Sequence, residues 1–298
     1  GRFFLKFFSL GLVVLILAVI FLSYVGFETD KFNDLIKEKA NAINRNVKLE
    51  FSKTKIYLNP TELNLVVKLK KPKVLIKNNE INLSKINFFL SIQSFFSSDF
   101  LLKRAEISFI KNDIKDLVKV TGAFLPKIIN KQLNKVFLSG NLEGEIIVPF
   151  DNKGRVKKDY GFSGKISDAT LNLAKELIIK NLTAKISRGP KLKNNSYTVL
   201  IEKGLLSSLD LSGSSINLNN ENNIKKIKAS LSTKGKINFI QIKKISSLFG
   251  IRLSYFNDII GNIDLKTNID FDVIKNLKVK NLLYSVEGSI SHLKLDTN

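Results

Sequence analysis

Residues 63–70 read LNLVVKLK, with an apolar side chain at every second position. The same period of two recurs at 47–51 (VKLEF), 86–92 (INFFLSI) and 105–110 (AEISFI). Successive side chains of a β-strand point to opposite faces of the sheet, so this alternation predicts strands with one apolar and one polar face. Parallel strands are usually covered on both faces and read as continuous apolar runs. The pattern therefore predicts a mainly β protein built on an antiparallel sheet.

Helical periodicity interrupts the strands at three places. Residues 29–44 predict an amphipathic helix, which lies either against the start of the sheet or along a membrane surface. Residues 112–136 predict one or two helices, broken near 122–126 and covering an open end of the sheet. Residues 239–249 predict a further helix. We expect these to be flanking helices, because strands occupy most of the remaining chain.

A glycine-led phrase recurs in the second half of the chain. A glycine is followed two residues later by Leu, Ile or Val, and the phrase ends in Leu-x-Leu. Copies begin at Gly164, Gly204 and Gly288, with a partial copy at Gly140. A glycine inside a strand marks a bulge, a bend or a close backbone approach, and its repetition bends successive strands the same way. The phrase favours a long, curved antiparallel sheet with a groove-like or taco-like shape. The alternative is an ordinary sandwich with glycines in its turns.

Residues 7–27, FFSLGLVVLILAVIFLSYVGF, form a run of 21 residues without a charge, preceded by Arg2 and Lys6. A helix of this length covers about 30 Å, the thickness of the hydrocarbon layer of a bilayer. The run is longer than the apolar part of a signal peptide and ends without a small-x-small cleavage site. It predicts a retained transmembrane anchor. The cations before the span predict a cytoplasmic N-terminus, with the rest of the chain across the membrane.

The composition restricts the partners of the protein. The chain of 298 residues carries a net charge of +22, almost wholly from lysine, and contains no Cys, Met or Trp. Because nucleic-acid readers favour arginine, and the lysines here are dispersed, we expect no nucleic-acid partner. Dispersed lysines suit solvated faces or affinity for anionic lipid headgroups. Without a Met at position 1, we expect the chain to be a piece of a longer protein.

No constellation for catalysis or metal binding stands out in the sequence. His292 has no neighbouring His or Cys with which to share a metal ion, and we expect it on the surface. Asp264, Asp270 and Asp272 form an acidic cluster that suits a cation, but Lys266 and an exposed strand face favour solvation instead. Motifs for serine hydrolases, phosphate loops and zinc peptidases are absent. We therefore expect no enzyme, no cofactor and no metal site.

Two stretches carry a resemblance to a known family. They are VKLEFSKTKIYLNPTELNLVVKLKKPKVLI (47–76) and FSGKISDATLNLAKELIIKNLTAKIS (162–187). Behind a single anchor and an amphipathic helix, they resemble the AsmA-like family of Gram-negative envelope proteins, particularly its YhdP-type and TamB-related members. The resemblance covers nearly the whole chain and rests on pattern rather than on an invariant motif. It implies an inner-membrane anchor, a periplasmic β-groove and the carriage of phospholipid towards the outer membrane, with no catalytic residues.

These observations predict three parts of the chain: a cytoplasmic stub and anchor (1–28), the amphipathic helix with a first groove segment and helical cap (29–136), and a continuing segment of repeated β-modules (137–298). The expected function is lipid transfer, with the membrane, phospholipid and other envelope proteins as partners. The alternative is a scaffold that assists outer-membrane protein assembly by adding partner strands at a sheet edge. The apolar residues expected to line the groove are Leu63, Leu65, Val67, Leu69, Ile86, Phe88, Leu90, Ile92, Ile107, Phe109 and Phe162.

Overall fold

The computed structural model describes residues 2–30, 32–43, 47–76, 79–93, 101–121, 127–157, 159–174, 177–189, 196–221, 224–248, 256–274 and 278–297. Strands hold 67% of the residues and helices 19%, which confirms the predicted mainly β fold. Every strand pairs antiparallel with its neighbours, as the alternation predicted.

The chain forms two compact units, and the division between them falls within two strands. The first unit comprises residues 1–110 and 145–160, and the second comprises residues 111–144 and 161–298. The boundary expected at 136/137 therefore falls inside the second unit.

Most elements of the first unit precede residue 110. In chain order they are α1 (Arg2–Tyr24), β1 (Phe27–Thr29), α2 (Asn33–Ile43), β2 (Val47–Glu50), β3 (Lys53–Asn59), β4 (Asn64–Lys70), β5 (Lys73–Ile76), β6 (Asn79–Ser91) and β7 (Leu102–Asp113). Strands β1, β3, β4, β6 and β7 are hydrogen-bonded in that order, and β5 pairs with both β2 and β6.

The side chains of α1 are described from Gly11 onward. Over the residues that the structure describes, no helix has both the length and the apolar character needed to cross a membrane.

Helix α2 packs on the apolar face of the first unit. Its Ile36 and Ala40 contact a buried cluster of Leu49, Leu69 and Ile86. The hydroxyl of Thr54, which is fully buried, donates a 2.7 Å hydrogen bond to Oδ1 of Asn33 at the start of the helix. Of the two placements expected for this helix, the structure shows the one against the sheet.

The helix begins at Asn33 rather than near residue 29. The correction arises because Phe27 to Thr29 form β1, which pairs with Ile56 to Thr54 of β3. Gly26 precedes this strand with φ of +64°, a conformation that glycine adopts at little cost. A three-residue strand is too short to give a recognisable period, which is why the sequence missed it.

The elements of the second unit follow β7 in a simple order. They are α3 (Ile114–Thr121), α4 (Lys127–Val136), β8 (Phe137–Pro149), β9 (Gly161–Ala174), β10 (Leu177–Arg188), β11 (Tyr197–Leu206), β12 (Leu209–Asp210), β13 (Ser215–Glu221), β14 (Ile224–Asn238), α5 (Phe239–Leu248), β15 (Phe256–Val273) and β16 (Val279–Thr297). Strands β8 to β11 are neighbours in sequence and in the sheet, and β12 and β13 both lie between β11 and β14. The order then continues through β15 to β16.

The three helices of the second unit lie where helical periodicity predicted them, and the predicted break at 122–126 falls outside the described residues. Ile114 and Val118 of α3 belong to a buried cluster with Ala184 of β10, against which Leu133 of α4 packs. Helix α5 packs separately on Leu209, Ile237 and Ile263. Each amphipathic helix thus buries its apolar side against the sheet.

Two of the recurring glycines, Gly140 and Gly288, lie at close backbone approaches, whereas the atoms nearest Gly204 all belong to side chains. At Gly140, where φ is +134°, a Cβ atom would come within 2.6 Å of Cβ of Ala169. Gly288 has φ of +144° and faces the backbone of Asp264. Strands β9 and β10 also carry register shifts, which bend strands locally. Gly235, with φ of +146°, has the same role but lies outside the recurring phrase.

Candidate functional site

Most of the predicted lining residues lie in closed clusters of the first unit. Leu69 is 1% exposed and Ile86 3% exposed, in the cluster beneath Ile36 of α2. Val67 and Leu90 belong to a second buried cluster, which also contacts α2. Three more predicted residues pack against these clusters and are partly buried: Leu65, Phe88 and Ile107.

The other predicted lining residues are scattered. Leu63 is not on a strand but in the turn before β4, with φ of 50° and 66% of its surface exposed. Ile92 follows β6 and Phe109 lies on β7, and both are half-buried. Phe162 lies in the second unit, opposite Arg188 in the ladder between β9 and β10. The structure thus does not bring the predicted set together on one open surface.

An open apolar surface does occur in the second unit. Strand β14 pairs with β15 without a bulge, from Lys225 opposite Val273 to Asn238 opposite Ile260. Its alternate residues therefore point to opposite faces along the whole strand. One face carries Ile227, Ala229, Leu231, Thr233, Gly235 and Ile237. The other carries Lys226, Lys228, Ser230, Ser232, Lys234 and Lys236. We call these the apolar face and the polar face.

The apolar face continues across the neighbouring strands in rows, because directly opposed residues of an antiparallel pair share a face. One row crosses six strands from β10 to β16. It consists of Ile186, Val199, Ile216, Ala229, Ile269 and Tyr284. A second row crosses β11 to β15 and consists of Tyr197, Leu218, Ile227 and Phe271. We call the part of the apolar face that carries these two rows the open end.

The opposite part of the apolar face lies beneath α3, α4 and α5, and we call it the covered end. Leu182 is 4% exposed there, and Ile201 is 7% exposed. At the open end the apolar side chains on β10 to β15 are all half-buried, and Tyr284 on β16 is 75% exposed. Ile186 and Val199, at one end of the longer row, pack against the buried cluster that contains Ile114 and Val118 of α3. Among the described residues, the other members of the two rows belong to no buried cluster. The part of the rows on β13 to β16 is therefore an apolar surface rather than a core.

Two cations lie on the apolar face at the outer margin of the open end. Arg188 is 5% exposed, and its guanidinium lies over the ring of Tyr197, 5.4 Å from the centroid. Lys225 is exposed and lies opposite Asn220 on β13 and Val273 on β15. No Asp or Glu side chain shares the apolar face with them among the described residues of this end. The margin is therefore positively charged.

The predicted acidic cluster lies on the polar face. Asp264 forms an ion pair with Lys234 at 2.8 Å, and Asp270 forms one with Lys228 at 3.2 Å. The hydrogen bond to the Asp264 carboxylate raises the pKa of Lys234. Asp272 accepts a 2.7 Å hydrogen bond from Asn281. Within the described ranges, no group of three metal-binding side chains occurs.

His292 lies on β16, exposed as predicted. Its Nδ1 is 3.5 Å from Nδ2 of Asn262, and its φ is +53°. It lies at a register shift between β15 and β16, where the positive φ of His292 accompanies the local irregularity of the strand.

Among the described residues, strand β16 is the last strand in the order of the sheet. It has 19 residues, contains no proline, and pairs only with β15 in the described part of the chain. All of its described side chains are exposed. The apolar ones that share the apolar face through their β15 partners include Tyr284, Val286 and Ile290. Edge strands of this length and pattern are templates for pairing with another strand.

Comparison with known proteins gives no match: no family model, no curated protein and no solved structure is similar to this chain. The candidate site is therefore identified from the geometry of this structure alone. The sequence did contain a signal for the open end, because polar and apolar residues alternate from 226 to 232 (KIKASLS). What the sequence did not show is which part of that pattern the helices cover.

Proposed function

We propose that this protein is a membrane-anchored lipid-transfer protein that carries phospholipid along an apolar sheet face. The observation that carries the proposal is the open end. Two rows of apolar side chains, including Ile216 and Ile227, remain half-buried on a sheet whose opposite face is polar. Exposed apolar surface is unfavourable by roughly 25 cal/mol per Å², so a continuous strip of it marks a site for an apolar ligand.

The dimensions of the open end suit an acyl chain. Neighbouring strands lie about 4.8 Å apart, so the row that crosses six strands is roughly 24 Å long. That length is comparable with an extended phospholipid acyl chain. Acyl chains lying along the rows cover the apolar side chains and leave the headgroup in water. Such transfer needs binding without bond making or breaking, and we propose no catalytic residues.

The anchor is proposed from the charge-free run at 7–27, which lies mostly within helix α1. A span there tethers the sheet to the bilayer from which lipid is taken. The resemblance to AsmA-like proteins supports the further assignment to the inner membrane of a Gram-negative bacterium. In this assignment the body lies in the periplasm and phospholipid moves towards the outer membrane.

Analysis of co-purified lipid tests the proposal. The full chain is purified in detergent, washed extensively and extracted, and its phospholipid is quantified by mass spectrometry. A single-span membrane protein purified in the same way gives the background. We expect phospholipid well above this background. Recovery at background level contradicts the proposed function.

A pair of variants assigns the bound lipid to the open end. Ile216→Asp places a charge on the apolar face, and Asn217→Asp places the same charge one residue along, on the polar face. We expect Ile216→Asp to lose most of the phospholipid, because desolvating a carboxylate beside acyl chains is strongly unfavourable. Asn217→Asp is expected to retain it. Equal retention by both variants places the lipid elsewhere.

A second candidate function, a scaffold for assembling outer-membrane proteins, is supported by the edge strand β16. A partner strand added there gains main-chain hydrogen bonds along the edge. A photoreactive amino acid at Ser289, in the middle of β16, tests this candidate in living cells. Crosslinks to outer-membrane proteins favour the scaffold. Crosslinks to none of them leave lipid transfer as the function.

A further inference from the structure

Lys225 is the exposed cation on the apolar face of the open end. Its position follows from the regular pairing of β14, in which Lys225, Ile227 and Ala229 are alternate residues on one face. The side chain lies one position beyond the row that contains Ile227. An ammonium group thus borders the Ile227 row on the apolar face, beside the middle of that row rather than at either of its ends.

The surroundings of Lys225 favour an external anion. It lies opposite Asn220 on one side and Val273 on the other, and Val273 in turn lies opposite Val279. Within the described residues, Lys225 has no carboxylate partner at salt-bridge distance. Arg188 is buried over Tyr197, so the cation that a headgroup in water reaches first is Lys225.

The neighbouring Lys226 provides a contrast on the same strand. It points to the polar face, where it lies opposite Asn219 and Asp272. The two lysines therefore have nearly the same place in the chain, but only one of them shares a face with the apolar rows.

We propose that Lys225 binds the phosphate of a phospholipid whose acyl chains lie along the apolar rows of the open end. This inference rests on the proposed function and adds the position and orientation of the bound lipid. The lysine ammonium group is a compact point charge that pairs with phosphate. A ligand with an anionic head next to an apolar tail matches the open end, where a cation lies beside the apolar rows. A lipid without a phosphate uses the apolar rows alone.

Two lipid probes and two variants test the assignment. The full chain in detergent is loaded with palmitoyl-oleoyl phosphatidylglycerol or with the diacylglycerol that carries the same acyl chains. Native mass spectrometry then measures the fraction of protein that holds each probe. The variants are Lys225→Glu and its neighbour Lys226→Glu, and thermal melts compare their folding. Lys225→Gln removes the charge without adding another, in case Lys225→Glu melts early.

We expect Lys225→Glu to weaken phosphatidylglycerol binding about tenfold, since a hydrogen-bonded charge pair is replaced by repulsion. Diacylglycerol binding is expected to stay within about twofold of the wild type, because it depends on the rows. Lys226→Glu is expected to change neither probe. Equal effects of Lys225→Glu on both probes, or an effect on neither, overturn the headgroup assignment while wild-type binding upholds the proposed function. If the wild type binds neither probe, the proposed function fails first, and this inference fails with it.

Discussion

The covered end and the open end of the second unit carry the same alternating pattern but differ in what lies above them. Ala184 is 1% exposed beneath α3 and α4, whereas Ile216, on the same face, is half-buried. The difference lies in where helices pack. Helices α3 and α4 pack on the covered end around Ala184, and α5 packs there on Ile237, whereas among the described residues no helix lies between β13 and β14 in the chain. The comparison shows that alternation decides which face is apolar, and helix packing decides which part of that face becomes core.

The largest effect expected from this comparison is on folding. Leu182→Asp buries a carboxylate at the covered end and is expected to lower the free energy of unfolding by more than about 4 kcal/mol. Ile227→Asp, on the apolar face of the open end, is expected to lower it by only about 1.5 kcal/mol, because the side chain it replaces is already partly in water. Guanidinium denaturation followed by circular dichroism measures both. A similar loss in the two variants means that the open end is a core.

Shortening one isoleucine to alanine at each end tests the same contrast, with smaller expected losses of stability. Ile201→Ala leaves a cavity at the covered end and is expected to cost about 3 kcal/mol of stability. Ile216→Ala removes a side chain that is already half in water, and a loss of about 1 kcal/mol is expected. Urea unfolding of the two variants in the same detergent provides the measurement. A larger loss of stability for Ile216→Ala than for Ile201→Ala contradicts the distinction between the covered end and the open end.

The close backbone approach at Gly140 gives the next effect. Gly140→Ala combines a strained φ of +134° with a clash against Ala169, and a loss of about 2 kcal/mol is expected. Gly213, with φ of +82° and open space around it, serves as the control. Gly213→Ala adds backbone strain alone, and a loss of about 1 kcal/mol is expected. Equal melting temperatures of the two variants contradict the tight approach.

The smallest expected effect concerns the polar face, which water reaches at both ends. A hydrogen bond from Lys185 lowers the pKa of Glu202 in the folded protein. The folded protein therefore favours the ionised form above the unfolded pKa, and this stabilisation is lost as pH falls through the folded pKa. We expect a slight loss of stability between about pH 5 and pH 3 that Glu202→Gln lacks. Urea midpoints across this range are the measurement, and an identical pH profile for the variant contradicts the contribution of this pair.

Local pattern predicted much of this fold. Period-two alternation identified β4, β6 and β7, and helical periodicity identified α3, α4 and α5. Both signals lie within single elements, so they are visible without knowledge of tertiary contacts. The three-residue β1 was missed, because its only support is its pairing with β3.

The candidate site was harder to predict than the fold. Leu69 and Leu90 have the pattern expected of lining residues, yet both are buried in clusters that contact α2. Ile216 and Ile227 have the same pattern and are not so covered. The difference depends on where helices distant in sequence pack, and the alternation of a strand contains no information about that. A sequence of this kind predicts an apolar face but not its accessible part.

The strand order of the second unit has a consequence for how a sheet of this kind lengthens by duplication of its strands. Strands β14 to β16 are joined and paired in the order of the chain, so an added hairpin needs no rearrangement of the existing ones. Pairing between neighbours in sequence also keeps contact order low, which favours rapid folding of an extended array. Duplication of one hairpin therefore lengthens the sheet by a fixed increment, two strand spacings of about 4.8 Å each.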